Sequence, residues 1–180
     1  DYLWLDMLCM SGKTVWGRLG PSKIKEPSNG EKLSPIKSSP LHLLERGNLH
    51  HWKVLDNILE RDLNCLSGNA KSILELLEID GALFYTDILQ KLNLLEGQVE
   101  EAISELVTNG FINSDNFTGL RALLVPAKYK SGSRRRHNNI IIDMSQAGRW
   151  SLFNSKKEDI SDKQLDEANM HLAKVLLRRY

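Results

Sequence analysis

Near the start of the chain Leu3, Trp4, Met7 and Leu8 fall at helical spacing, which predicts a helix over residues 2–10 closed by Ser11-Gly12. Lys13-Thr14-Val15-Trp16-Gly17-Arg18-Leu19 alternates polar and apolar positions and predicts a strand that stops at Gly20-Pro21. Residues 21–40 are rich in Ser, Pro, Lys and Gly, have no periodic apolar pattern and read as a loop. Leu41-His42-Leu43-Leu44 reads as the return strand of a hairpin. His50 to Leu59, with Trp52, Leu55 and Ile58, reads as a short helix.

The clearest pattern runs from Cys65 to Phe153. Ser67 is a good N-cap for a helix striped by Ala70, Ile73, Leu74, Leu76 and Leu77. Gly81-Ala82-Leu83-Phe84 is a short extended link, and Thr86 is the expected cap of a second helix with Ile88, Leu89 and Leu92 inward. A third helix from about Glu96 turns Val99, Ala102, Ile103, Leu106 and Val107 to one side and ends at Asn109-Gly110. Phe111-Ile112-Asn113-Ser114 and Arg149-Trp150-Ser151-Leu152-Phe153 are two strands able to pair. Between them, Asn116 to Val125 reads as an inserted helix and Lys128 to Asn139 as an exposed loop.

Helix, short strand, two helices, strand, wing and strand is the order of a winged helix. The fold expected is therefore α+β and helix-rich: tandem winged-helix units, one complete and flanked by partial ones, with small antiparallel hairpins. Residues 1–63 are assigned to the last part of a first unit, 64–154 to the complete unit with a long basic wing, and 155–180 to a linker and the opening helix of a third. The chain starts inside an apolar run and stops without a helix stop signal, so a piece of a larger protein is expected.

Composition narrows the class. Of 180 residues, 41% are hydrophobic and 26% charged, which suits a packed globular protein rather than a disordered one. No apolar run approaches the ~20 residues of a membrane helix, so no membrane partner and a cytoplasmic location are expected. The net charge of +1 argues against a generally basic nucleic-acid binder, but the average hides a division. Residues 1–126 carry 12 Lys and Arg against 17 Asp and Glu, a net of −5, whereas residues 127–180 carry 12 against 6, a net of +6.

The chemistry suggested by individual motifs is sparse. Cys9 and Cys65 read as buried thiols, and the five histidines lack zinc-site spacing, so no metal and no cofactor are expected. Ser11-Gly12-Lys13-Thr14 imitates the end of a P-loop but follows a helix and precedes a strand, the reverse of what phosphate binding at a helix N-terminus requires. No catalytic constellation is apparent. The third helix carries Glu96, Glu100, Glu101 and Glu105 outward, which would repel a phosphate-lined groove. Basic residues gather instead in the wing, where Lys128, Lys130, Arg134, Arg135 and Arg136 lie within nine residues beside Tyr129 and no acid. Such a loop either contacts phosphates without sequence preference or is simply solvated. Trp16 reads either as core or as a stacking platform for an unpaired base, and Trp150 as core.

The motifs together resemble a known family. Leu5-Asp6-x-Leu8-Cys9-x-x-Gly12 followed by Val15-Trp16-Gly17-Arg18-Leu19, then Gly81-Ala82-Leu83-Phe84, then Phe117-x-Gly119-Leu120-Arg121-Ala122-Leu123, and finally Gly148-Arg149-Trp150-Ser151-Leu152 resemble the helicase-associated (DEAD/DEAH-associated) region that follows the motor in bacterial large helicase-related (Lhr) proteins. The resemblance implies a parent protein that is an ATP-dependent 3′–5′ DNA helicase with a role in DNA repair. In it this region guides single-stranded DNA, or a DNA/RNA hybrid, near the motor domains of the same chain. It also implies Trp16 as the stacking residue and Arg18 as a phosphate contact. Motor motifs are absent from these residues, so neither ATPase activity nor strong binding of DNA alone is expected. Two other readings stay open: a protein-interaction scaffold that docks other domains, and a DNA glycosylase-like repair domain.

Overall fold

The computed structural model describes residues 3–20, 40–57, 61, 63–125, 144–153 and 159–178. Helix α1 (Leu3–Met10) ends in a tight turn in which Gly12, at φ 73°, and Lys13 donate backbone hydrogen bonds to Cys9 and Leu8. That turn presents the carbonyl end of a helix, the wrong pole for an anion, to the segment that imitates a P-loop. Strand β1 (Thr14–Gly17) then pairs antiparallel with β2 (His42–Glu45), Val15 opposite Leu44 and Trp16 opposite Leu43. After a 3₁₀ turn over Arg46–Asn48 comes α2 (Leu49–Asn57).

The helical unit follows its apolar stripes. Ser67 caps α3 (Gly68–Asp80), its hydroxyl accepting from the Ala70 N–H, and Ala70, Ile73 and Leu77 are buried. Strand β3 (Leu83–Phe84) leads into α4 (Tyr85–Leu92) two residues before the expected start. Phe84, not Thr86, takes the cap position, because the Asp87 carboxylate reaches back to accept the Phe84 N–H at 3.2 Å. In α5 (Glu96–Thr108) all five residues of the expected stripe are buried. Strand β4 (Ile112–Ser114) follows, then α6 (Thr118–Leu124), a 3₁₀ turn over Met144–Gln146, and β5 (Arg149–Leu152). The sheet order is β3-β5-β4, antiparallel throughout, with Leu83 opposite Trp150 and Asn113 opposite Ser151. The architecture is α+β and helix-rich, with two small antiparallel sheets among the described residues, and no described helix is long and apolar enough to cross a membrane.

One hydrophobic cluster joins the two ends of this arrangement. Cys9 and Trp16 from the N-terminal segment pack with α3, α4 and α5 residues, Ile112, Leu120 and Trp150, so packing is continuous across the expected division at residues 63 and 64. A smaller cluster of Val15, Leu44 and Phe153, with Leu49 and Trp52 against it, lies on the other side of β1. Cys65 departs from expectation: it is exposed, and the two cysteines form no disulfide.

The last helix, α7 (Asp162–Leu177), begins three residues earlier than the apolar spacing suggests. Ser161 and Gln164 form a capping box, each side chain bonding the other's backbone N–H. This helix packs on α2, where the His51 and His171 rings stack at 4.7 Å, His50 lies 3.8 Å from His51, and Trp52 meets His171 edge-on. Burial and the neighbouring His50, His171 and Lys174 hold the His51 pKa below its ordinary value, against an opposing pull from Glu167. A histidine whose folded pKa is depressed contributes stability that is fully present above the unfolded value of about 6.5 and declines as pH falls below it. Hydrogen-exchange protection of α7, corrected for intrinsic rates, is therefore expected to fall between about pH 7.5 and pH 5.5, and His171→Phe should lessen that fall. Protection independent of pH would contradict it.

Candidate nucleic-acid interface

Strand β1 is buried on both faces, and its alternation assigns each residue a task. Val15 and Gly17 face Phe153, and a Cβ on Gly17 would run into that ring, so only glycine fits. Trp16 points the other way, into the main core, 1% exposed, with Phe117 edge-on at 6.2 Å. Its indole N–H donates to the Asn116 carbonyl at 2.9 Å, and its own carbonyl accepts from the Asn113 side-chain amide at 3.1 Å. Arg18, 4% exposed, donates from Nη1 to the Thr108 carbonyl at 3.2 Å, at the C-terminus of α5. Burial lowers the Arg18 pKa, yet a guanidinium at the carbonyl end of a helix meets a favourable dipole.

Arg61 completes this joint. Its Nε donates to the Asn109 carbonyl at 3.0 Å and its Nη2 pairs with the fully buried Asp56 carboxylate at 2.5 Å, which also accepts the Gly20 N–H. Gly110 closes the arrangement at φ 73°, where a Cβ would stand 2.6 Å from the Arg18 carbonyl oxygen.

The roles inferred for these two residues are thereby corrected. A stacking platform must offer a ring face to a base and a phosphate contact must reach solvent, and Trp16 and Arg18 do neither, because both are consumed in joining β1 to the α5–β4 segment. Of the two readings of Trp16, the structure has the core one. Trp150 is core as well, fully buried with no partner for its indole N–H among the described residues. The remaining candidates, Lys128, Lys130, Arg134, Arg135 and Arg136, lie outside the described residues.

The described elements on either side of them are held in the core. On one side α6 is capped from a distance by Asp6, whose carboxylate accepts the Thr118 N–H at 2.8 Å and pairs with Arg121. On the other, Met144 and Ala147 are buried against α6. The acidic face of α5 is also partly structural: Glu105 accepts from the Ser67 N–H and hydroxyl at 2.8 and 2.6 Å, leaving Glu96 and Glu101 as its exposed carboxylates and Glu100 half-buried.

Sequence reasoning passed over a cleft between the hairpin–α2 side and the β4–β5 sheet, with a volume of about 140 Å³. Arg46 and Lys53 line it together with Ser114, Asp115, Ser151 and Phe153. The signal was weak: two cations seven positions apart, set against strands about 60 and about 100 residues away. No group of three metal-ligating side chains exists among the described residues. Burial, and then Asp6, push the Cys9 thiol up, which keeps it protonated and unreactive.

No protein-family model matches the chain, and no curated protein matches it in sequence.

Trp16→Ala is expected to destabilise the fold by about 3–5 kcal/mol in urea denaturation, with Trp16→Phe losing less because it keeps the ring packing. Arg61→Ala removes the cation from a buried carboxylate and should cost a similar amount, about 3–5 kcal/mol. Unchanged midpoints would show that the joint does not hold the fold.

Proposed function

We propose that this chain is a DNA-binding accessory piece of an ATP-dependent 3′–5′ helicase of the Lhr type, one that guides single-stranded DNA beside the motor and has no ATPase of its own. The observation that carries the reading is topological: α3, β3, α4, α5, β4 and β5 occur in the winged-helix order, and the sheet order β3-β5-β4 is the one that plan requires. The segment between β4 and β5 then takes the place of the wing, and it contains Lys128, Lys130 and Arg134 to Arg136. The motif order that resembles the post-motor region of Lhr proteins agrees with this, as does a third helix whose acids suit a groove poorly. Burial of Trp16 and Arg18 removes them from the contact surface and leaves the wing as the main carrier of phosphate contacts. Binding by such a loop is weak and salt-sensitive, and gains strength from a tethered motor.

One observation favours a second reading, that of a scaffold docking other domains. Leu3, Trp4, Met7 and Met10 of α1 are exposed, Trp4 to 70%, a concentration of apolar surface suited to a protein partner. The two readings are compatible if the partner is the motor of the same parent chain.

Affinity for an oligothymidylate measured between about 50 and 200 mM salt tests the first reading. Replacing Arg134, Arg135 and Arg136 together by Ala should lower the salt slope by about 2, at ~0.7 per phosphate contact on a single strand. An unchanged slope would remove the wing from the DNA contact.

A further inference from the structure

We propose that the contact between α2 and α7 is an acid-weakened latch: protonation of His51 and His171 together makes α7 open from α2, uncovering Ala168 and Trp52, while the core beneath stays closed. Three histidines and a tryptophan form the contact. The His51 ring of α2 stacks on the His171 ring of α7 at 4.7 Å and 21°, His50 lies 3.8 Å from His51, and Trp52 meets His171 edge-on at 5.7 Å. Neutral imidazoles pack in this way as flat aromatic rings. Two imidazolium rings at the same separation repel, so the geometry that seats α7 near neutral pH opposes it in acid.

The packing makes the opening local. Ala168 is the one buried residue of α7, and neither described core cluster contains it. Leu165, Leu172 and Val175 are only partly buried, and α2 is the element on which the helix chiefly packs. Detaching α7 therefore leaves α3, α4, α5 and the β3-β5-β4 sheet with their own contacts, and a helix held by so little buried surface opens without global unfolding. The charges around His51 set the direction of the response. On α2 it faces His50; on α7 it faces His171 and Lys174, which disfavour a proton, and Glu167, which favours one, with Asp166 lining the same recess. Glu167 is shared with Lys163 at 4.0 Å, which weakens its pull. Burial first, then His50 and His171, hold the His51 pKa below its ordinary value. Docking is therefore complete above the ordinary histidine value of about 6.5 and weakens as pH falls below it.

The test uses the whole chain with Ala168→Cys, whose new thiol can be labelled only when α7 opens. Two native thiols serve as references: the exposed Cys65 reports intrinsic reactivity at each pH, and the buried Cys9 reports opening of the main core. Labelling by a disulfide reagent at low salt, relative to Cys65, should rise about fourfold at the introduced thiol from about pH 7.5 to 5.5, the factor for two unit charges 4.7 Å apart in water, while Cys9 stays protected. His51→Phe combined with His171→Phe keeps flat rings in the contact and should abolish the rise. Exchange of α7 amides in the unmodified chain, referenced to α5 amides, should show the same ratio, so a helix loosened by Ala168→Cys itself would not pass for release. A ratio unchanged by pH overturns the latch. An equal rise at Cys9 overturns it as global acid unfolding, and a rise that survives in the double phenylalanine variant overturns the role of the histidines.

Discussion

The rest of the structure depends on how β1 satisfies its polar groups while buried on both faces. A buried strand must pair its backbone, and among the described residues β1 has one ladder partner, β2. Side chains from elsewhere supply the remaining bonds: Asn113 reaches the Trp16 carbonyl, and Arg61 reaches the Arg18 carbonyl at 3.4 Å while holding Asp56. In return Trp16 and Arg18 donate to Asn116 and Thr108, so donors and acceptors from both segments are used reciprocally. Apolar burial of Trp16 supplies the driving force, and the polar bonds satisfy the Trp16 indole N–H and the Trp16 and Arg18 carbonyls.

This joint makes one body of the N-terminal hairpin and the helical unit. With β1 fixed, Phe153 has a surface to pack on, α2 lies over that packing, and α7 in turn lies on α2. The same fixation reaches α6, because Asn116 and Asp6 tie it to β1 and α1.

Local pattern was enough to read the helices and strands, because their signals lie within a few residues. The stripe of α5, the Ser67 cap and the pairing of β4 with β5 all follow from spacing and caps in short windows. The functions of Trp16 and Arg18 were not legible, since a Trp-Gly-Arg strand looks the same whether it faces solvent or a partner, and the partners here stand some 90 to 100 positions away. Glu105 reads as a surface acid for the same reason, its partner Ser67 lying 38 residues distant. The start of α7 and the cap of α4 were missed on a smaller scale. Side chains one turn inside each helix, Gln164 and Asp87, reach back to the N-cap and extend the helix beyond its apolar stripe. The Arg46–Lys53 cleft needed the tertiary fold outright, because neither cation is near β4 or β5 in sequence.

Exchange of the Trp16 indole proton, followed by NMR with and without a saturating oligothymidylate, tests the structural role of this strand most directly. A ring locked in the core and bonded to Asn116 should exchange only through global unfolding, far more slowly than the exposed Trp4 indole, more slowly still once bound DNA stabilises the folded chain, and with no change of its chemical shift on binding. Rapid exchange of the Trp16 proton in the free chain, or a chemical shift at that proton that saturates with DNA, would contradict it and return Trp16 to the binding surface.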